Sequence, residues 1–339
     1  MDWVRLAQYP FFDHRKSPSA THCDDIAQSI TGATKIIPVD SLNTMTYSVI
    51  CNNCSSLPLD RIVIFREEAI AGPLDYIVKL AKETFGSLAP EPTYYDKVEG
   101  ADPPLTLYTT PCQPGISLLS ALRCEIELSG QQKAKQTSLI RDLARYFALS
   151  WSKCQSMNPP ELLYIRQAGI RYQLRQFKQL APTVLPAHTI DDLIQILPTL
   201  FSNDYPAVLT NGNLSLTNIR VDETTYEITN IVDWSLTKIL PFGMDLDILL
   251  LVTGYMGLRK WRDYECKRFM LDCFWDEFWA SVDPHVDRVR GRFLAEKAAR
   301  IGALLRYGFT RREDGNTDSV VSVSDRDCKL LRAWFGLAA

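Results

Sequence analysis

The chain has 339 residues, 46% of them hydrophobic and 23% charged, with a formal net charge of −3. That is an ordinary globular composition with room for two lobes, each with its own core, and without a basic run interleaved with aromatics it argues against a nucleic-acid partner. No apolar run approaches the roughly 20 residues of a membrane span, and MDWVRLAQYPFFDHRK sets acid and base around short apolar pieces rather than a signal pattern, so the expectation is a cytoplasmic protein with no membrane partner.

In chain order, the first third reads as mostly β with one inserted helix. A short helix is expected over residues 24–30, closed by Gly32. Strands follow over 36–39, 45–51 and 61–66. A helix over 74–85 places Leu74, Ile77, Val78, Ala81 and Phe85 on one face, and further strands cover 93–95 and 105–109. The breaker-dense run Thr110-Thr-Pro-Cys-Gln-Pro-Gly115 marks the lobe boundary, giving lobes of 1–110 and 111–339. Beyond it the chain turns helical: Leu139, Ile140, Leu143, Phe147 and Trp151 repeat at helical spacing, and Pro159 and Pro160 close that region. Helices over 169–180 and 190–201 lead into a central stretch, 205–250. After it come an apolar run over 246–255, an aromatic helix over 269–279, and closing helices over 295–309 and 325–337.

Nine cysteines without the dense spacing of a secreted scaffold read as reduced and mostly buried. Cys51-Asn-Asn-Cys54 is the only CxxC. With no second pair, and no HxxxH among His14, His22, His188 and His285, it reads as a surface turn. No P-loop, GxGxxG or GxSxG motif is present. The Phe/Trp face over 274–279 reads as core, and Arg311, Arg312, Glu313 and Asp314 as a solvated loop.

The central stretch carries the chemistry. A short strand over 207–209 leads into the polar loop Asn211-Gly212-Asn213. Strands over 219–222 and 226–232 then flank a DETT turn. An antiparallel hairpin of that length returns the chain to its starting end. Asn218, just before it, and Asp233, just after it, therefore sit side by side as hard oxygen ligands, with Asn213 on the loop above.

This stretch resembles the catalytic segment of the aminoglycoside phosphotransferase family, which carries HGDxxxxN, a short hairpin, a [VI]DW segment and an Asp-Leu pair. The chain has Asn211-Gly-Asn213…Asn218, Ile231-Val-Asp233-Trp234 and Asp245-Leu246. Likeness continues through IVIFRE, LAKETFGSLAPEP, PLTLYTTPCQPGISLL and DLARYFALSW, most like the fungal small-molecule branch. The resemblance implies an α+β, bilobal protein-kinase-like fold, with an antiparallel β N-lobe holding one helix and a mostly helical C-lobe. It implies ATP and Mg²⁺ as cofactors and a small molecule as partner. Asp233 and Asn218 would hold the metal, and Arg66 would meet the phosphates. Residues from Tyr108 to Cys112 would be the hinge along adenine, and Asp245 would brace the loop by accepting its backbone amides. Asn213 stands where the family has its catalytic Asp, and Asn211 where it has the His.

Those two departures set the functional expectation. The loop Asp orients the attacking hydroxyl and accepts its proton, whereas an amide cannot; such help is worth roughly 10²–10⁴-fold. The DSLNTM loop between the first two strands lacks glycines that would close over phosphates, and Arg66 is bulkier than lysine. The expectation is a small-molecule-binding kinase-fold protein of fungal secondary metabolism whose ATP phosphotransfer is impaired or replaced. The alternatives are a slow ATP/Mg-dependent phosphotransferase on a hydroxyl metabolite and a non-catalytic binding protein. Arg166, Arg171, Tyr172, Tyr255 and Trp261 could line an anionic or aromatic ligand, but they carry no recognisable ligand code and read first as solvated helix faces.

Overall fold

A computed structural model describes residues 11–337 apart from 13–14, 40–45, 56–59, 91, 113–114, 124, 126, 156–159, 235, 312–316 and 322. The chain divides into two compact units, residues 1–114 and 115–339. The DSLNTM loop lies outside the described residues, as do residues 312–314.

The first unit is built on a five-stranded antiparallel sheet in the order β1-β2-β3-β5-β4. Its strands are β1 (Lys35–Pro38), β2 (Thr46–Asn52), β3 (Arg61–Glu67), β4 (Thr93–Val98) and β5 (Leu105–Pro111). Period-two alternation on β2 turns Tyr47, Val49 and Cys51 inward, where they meet Val63, Phe65, Leu105 and Leu107. Helix α1 (Ala20–Thr31) covers this core with Cys23 and Ala27. The Ser19 hydroxyl caps it, and Gly32 at φ +63° closes it through a backbone bond to Gln28. Helix α2 (Glu68–Phe85) leaves β3 directly, earlier than the sequence predicts, and buries Val78, Ala81 and Phe85.

Two expectations in this unit need correction. Cys51 is not part of a surface turn. It is a fully buried core residue of β2, and burial pushes its thiol up to about 11. Strand β5 also runs past residue 109, because Thr110 and Pro111 pair with Ile62 and Arg61 at the start of β3.

The second unit is mainly helical. Its helices are α3 (Leu118–Ala121), α4 (Gly130–Ser152), α5 (Pro160–Leu180), α6 (Ala187–Leu200), α7 (Ile248–Val252), α8 (Lys267–Ala280), α9 (Arg288–Tyr307) and α10 (Asp325–Trp334). Ser129 and Gln132 form a capping box that fixes where α4 starts. Pro160 opens α5 rather than closing the region before it, since a proline at a first helical position loses no bond. Phe274, Trp275, Phe278 and Trp279 of α8 are buried, and Trp151 and Phe242 pack edge-on against Phe278 and Trp151 respectively. This is core packing, as the aromatic spacing predicts.

Three of the four small sheets described in this unit are β6 (Ile116–Ser117), β8 (Ile219–Val221) and β9 (Ile228–Ile231); β7 (Ala207–Thr210) with β10 (Lys238–Pro241); and β11 (Gly254–Met256) with β12 (Trp261–Asp263). A terminal pair, β13 (Phe309–Arg311) and β14 (Thr317–Val321), places Arg311 in a strand instead of the loop expected for it. Among the described residues no helix is long and apolar enough to cross a membrane.

Candidate functional site

The hairpin forms as its sequence predicts. Ile219 pairs with Ile231 and Arg220 with Asn230, and both isoleucines are fully buried. The Asp222 carboxylate organises the turn by accepting from the Thr224 and Thr225 amides, both at 2.8 Å. One step beyond the ladder the Val232 amide donates to the Asn218 carbonyl at 2.9 Å, which brings Asn218 and Asp233 to the same end.

Asn211 leaves the end of β7 fully buried. Its Nδ2 donates to the Asp233 carbonyl at 3.1 Å, and its Oδ1 accepts from the Asn213 amide at 3.1 Å. Both ends of one side chain thus tie the loop to the hairpin exit. Gly212 between them has φ +73°, and a Cβ there would lie 2.1 Å from the Leu236 carbonyl oxygen, so the turn needs glycine. The Asn213 Nδ2 donates to Asp233 Oδ2 at 3.0 Å. Because a carboxylate only accepts, this contact fixes which way the amide faces. Asn218 Nδ2 donates to the Asn213 carbonyl at 2.9 Å, so its own amide oxygen is left as the acceptor. Asp233 itself has φ +56°, a left-handed backbone that side-chain-bearing residues other than Asn and Asp rarely take.

Asp245 accepts from the Gly212 amide at 3.2 Å through Oδ2. The sequence did not reveal what holds Asp245. Arg306, near the end of α9, donates through Nη1 to the Leu214 carbonyl at 2.6 Å. The same guanidinium sits 2.9 Å from Asp247 Oδ2 and 3.7 Å from Asp245 Oδ1. Burial lowers the Arg306 pKa, but Asp247, Tyr307 and Asp245 outweigh it and leave the group above its ordinary value. The approach is close because α9 presents small residues: a Cβ on Gly302 would lie 1.8 Å from the Met244 carbonyl oxygen. Burial, with a further contribution from the Asp245 charge, raises the nearby Tyr146 hydroxyl well above its usual range.

The remaining sequence-derived candidates lie in the first unit. Arg66 and Tyr108 are both buried, and the guanidinium carbon lies 4.8 Å from the Tyr108 ring centroid, a cation–π contact. Tyr108 is interior to β5, flanked by Ile64 of β3 and Tyr94 of β4. Cys112, past the strand, donates its amide to the Asp60 carbonyl at 2.8 Å. In the second unit, a cavity of about 250 Å³ is lined by Ser120, Arg123, Ser129, Lys135, Glu223 and Tyr226, among others, and contains none of the candidate residues. Of the residues expected on helix faces, Tyr172 is exposed on α5, but Tyr255 and Trp261 lie on the paired strands β11 and β12, where Trp261 donates to Asp263 at 2.8 Å and Tyr255 packs on Tyr264.

No family model matches the chain, and no curated protein matches it. Solved structures do. APH(2")-IIia, solved with GDP and kanamycin, superposes with a TM-score of 0.51 at 13% identity, over 84% of this chain and 90% of that one. Apo macrolide 2'-phosphotransferase MphH from Brachybacterium faecium gives 0.51 at 13% identity, over 85% of this chain and 92% of that one. The chain is therefore an α+β protein with an antiparallel β lobe and a helical lobe. Its fold is the protein-kinase-like fold of small-molecule phosphotransferases.

Proposed function

We propose that this chain is a small-molecule-binding protein on the kinase-like phosphotransferase fold whose ordinary ATP phosphotransfer is impaired or replaced by another reaction. The hydrogen bond from Asn213 Nδ2 to Asp233 Oδ2 at 3.0 Å carries this reading. A residue that activates an acceptor hydroxyl must take up its proton. The Asn213 amide has no such basicity, and its NH₂ face is turned to Asp233.

Asp233 and Asn218 are the residues that would hold Mg²⁺. Among the described residues no group of three His, Cys, Asp or Glu side chains could hold a metal ion. One carboxylate and one amide oxygen still fit the ion, which is commonly held by one or two carboxylates plus substrate phosphates. When bound it would neutralise phosphate charge. In this chain Asp233 would orient it, Asn218 would add a neutral oxygen, and Arg66 is the basic residue assigned to phosphate. The same donors support the second reading, a slow Mg-dependent phosphotransferase on a hydroxyl metabolite. We place the ligand among fungal secondary metabolites on the segment resemblance alone; comparing metabolites after deleting the gene tests that placement.

The decisive experiment combines thermal shift in Mg²⁺ and ATP with phosphate transfer by wild type and Asn213→Asp. The expected wild-type result is little or no transfer. If ATP binds, Asn213→Asp raises transfer by about 10²–10⁴-fold. Wild-type transfer at a rate that Asn213→Asp leaves unchanged would overturn the reading.

A further inference from the structure

The hairpin has two faces, and the second one is polar. Ile219 and Ile231 point together into the core. Alternation therefore puts Asn218, Arg220, Asn230 and Val232 on the opposite face, continuous with the end that carries Asp233. Asn218, Arg220 and Val232 are half-buried, while Asn230 between them is fully buried. Neither Nδ2 nor Oδ1 of Asn230 has a hydrogen-bond partner among the described residues. A buried amide with both halves unsatisfied weakens the fold, and a valine or isoleucine would serve a β-strand better at that position. Such a group calls for a specific explanation.

We propose that Asn230 is a ligand-reading residue, and that its ligand presents a hydrogen-bond donor beside an acceptor in one plane, as a carboxamide or lactam does. This rests on the hairpin being the ligand site proposed above. The chemistry follows from the side chain. An amide offering Nδ2 and Oδ1 together pairs with another amide through two reciprocal hydrogen bonds, whereas a ligand with an acceptor alone satisfies only half of it. In this proposal Arg220, paired with Asn230 directly across the ladder, is the cover. Its Nη2 donates to the Gly115 carbonyl at 2.6 Å, and release of that contact opens the cross-strand neighbour, whose Cβ lies within about 5.5 Å in such a pair. Asn218 and Asp233 at the mouth of the same face then meet the rest of the ligand.

The test uses benzamide as the probe and acetophenone as its control, which has the same shape with a methyl in place of the NH₂. Saturation-transfer NMR on wild type, Asn230→Leu and Asn230→Val measures binding, and thermal melts accompany it. Wild type is expected to bind benzamide about tenfold or more tightly than acetophenone, the ratio for one well-placed hydrogen bond. Both variants are expected to lose that preference while melting at or above the wild-type temperature. Variants that melt well below wild type would show the amide to be satisfied within the fold, and that overturns the proposal. So does a wild type that binds the two probes equally or not at all, a result that stands even where neither variant folds. Failure of the phosphotransfer reading has a different signature, namely wild-type transfer from ATP, so the two outcomes are separable.

Discussion

Replacing Arg306 with methionine removes a charge while keeping a long side chain in the same space. Its guanidinium has 10% side-chain exposure, and it lies against Asp247 at 0% and Asp245 at 8%. Taking one partner from a buried ion pair costs about 3–5 kcal/mol, because the remaining charge is left uncompensated. For a unit the size of residues 115–339, each kcal/mol moves the melting temperature by about 2–4 °C. Arg306→Met is therefore expected to lower that unit's melting temperature by about 6–20 °C at pH 7.5, read by circular dichroism. The loss should shrink on acidification. A buried carboxylate without its partner holds a proton to higher pH in the folded state than in the unfolded one, so the variant gains relative stability as pH falls. Adding Asp247→Asn to Arg306→Met should recover part of the loss, since it removes the stranded charge. A variant that melts within a degree or two of wild type at pH 7.5 would refute the idea that this ion pair holds the loop.

Three further outcomes are expected. Gly212→Ala combines a left-handed φ, worth about 1–2 kcal/mol against alanine, with a clash against the Leu236 carbonyl. It should lower the urea-unfolding free energy by more than about 2 kcal/mol, and a loss under about 0.5 kcal/mol would contradict the close approach. Burial raises the Cys23 thiol to about 12 and the Cys51 thiol to about 11, while Cys154 is exposed; thiol labelling at pH 8 followed by peptide mapping should mark Cys154 first and reach the other two only on unfolding. Burial also lifts the Asp142 carboxyl above its ordinary value, against opposition from the Ile228 amide and Arg145. A raised folded value gives stability that is present below the unfolded pKa and lost as pH rises. Asp142→Asn should therefore gain on wild type as pH rises above the unfolded carboxylate value of about 4, and a pH-independent difference would rule this out.

The hairpin and its mouth were legible because their signals are local. β-Branched runs flank a turn-forming DETT, and two strands of that length put Asn218 beside Asp233 whatever the rest of the chain does. The Asn211-Gly-Asn213 turn was legible for the same reason, and Gly212 fulfils its steric role. Long-range partners were not legible. Arg306 is 92 residues from the carbonyl it binds, in a helix that carries four other arginines from which the sequence does not set it apart. Strand β10, four residues ending in proline, has no periodicity that would announce its pairing with β7. Cys51 ended the expected 45–51 strand yet was also read into a turn with Cys54, because the polar residues after it outweighed its inward register on β2. Asn230 was passed over because one amide among β-formers reads as an ordinary strand residue, and only its missing partners mark it.

The backbone at Asp233 bears on how this chain can change over evolutionary time. At φ +56° the position accepts aspartate, asparagine and glycine with little strain and penalises nearly everything else. Two of those three carry no charge. The carboxylate at the mouth of the hairpin is thus one substitution away from neutrality, with no conformational barrier in the path. Drift there would keep the local backbone conformation while removing the charge that the Asn213 amide now faces.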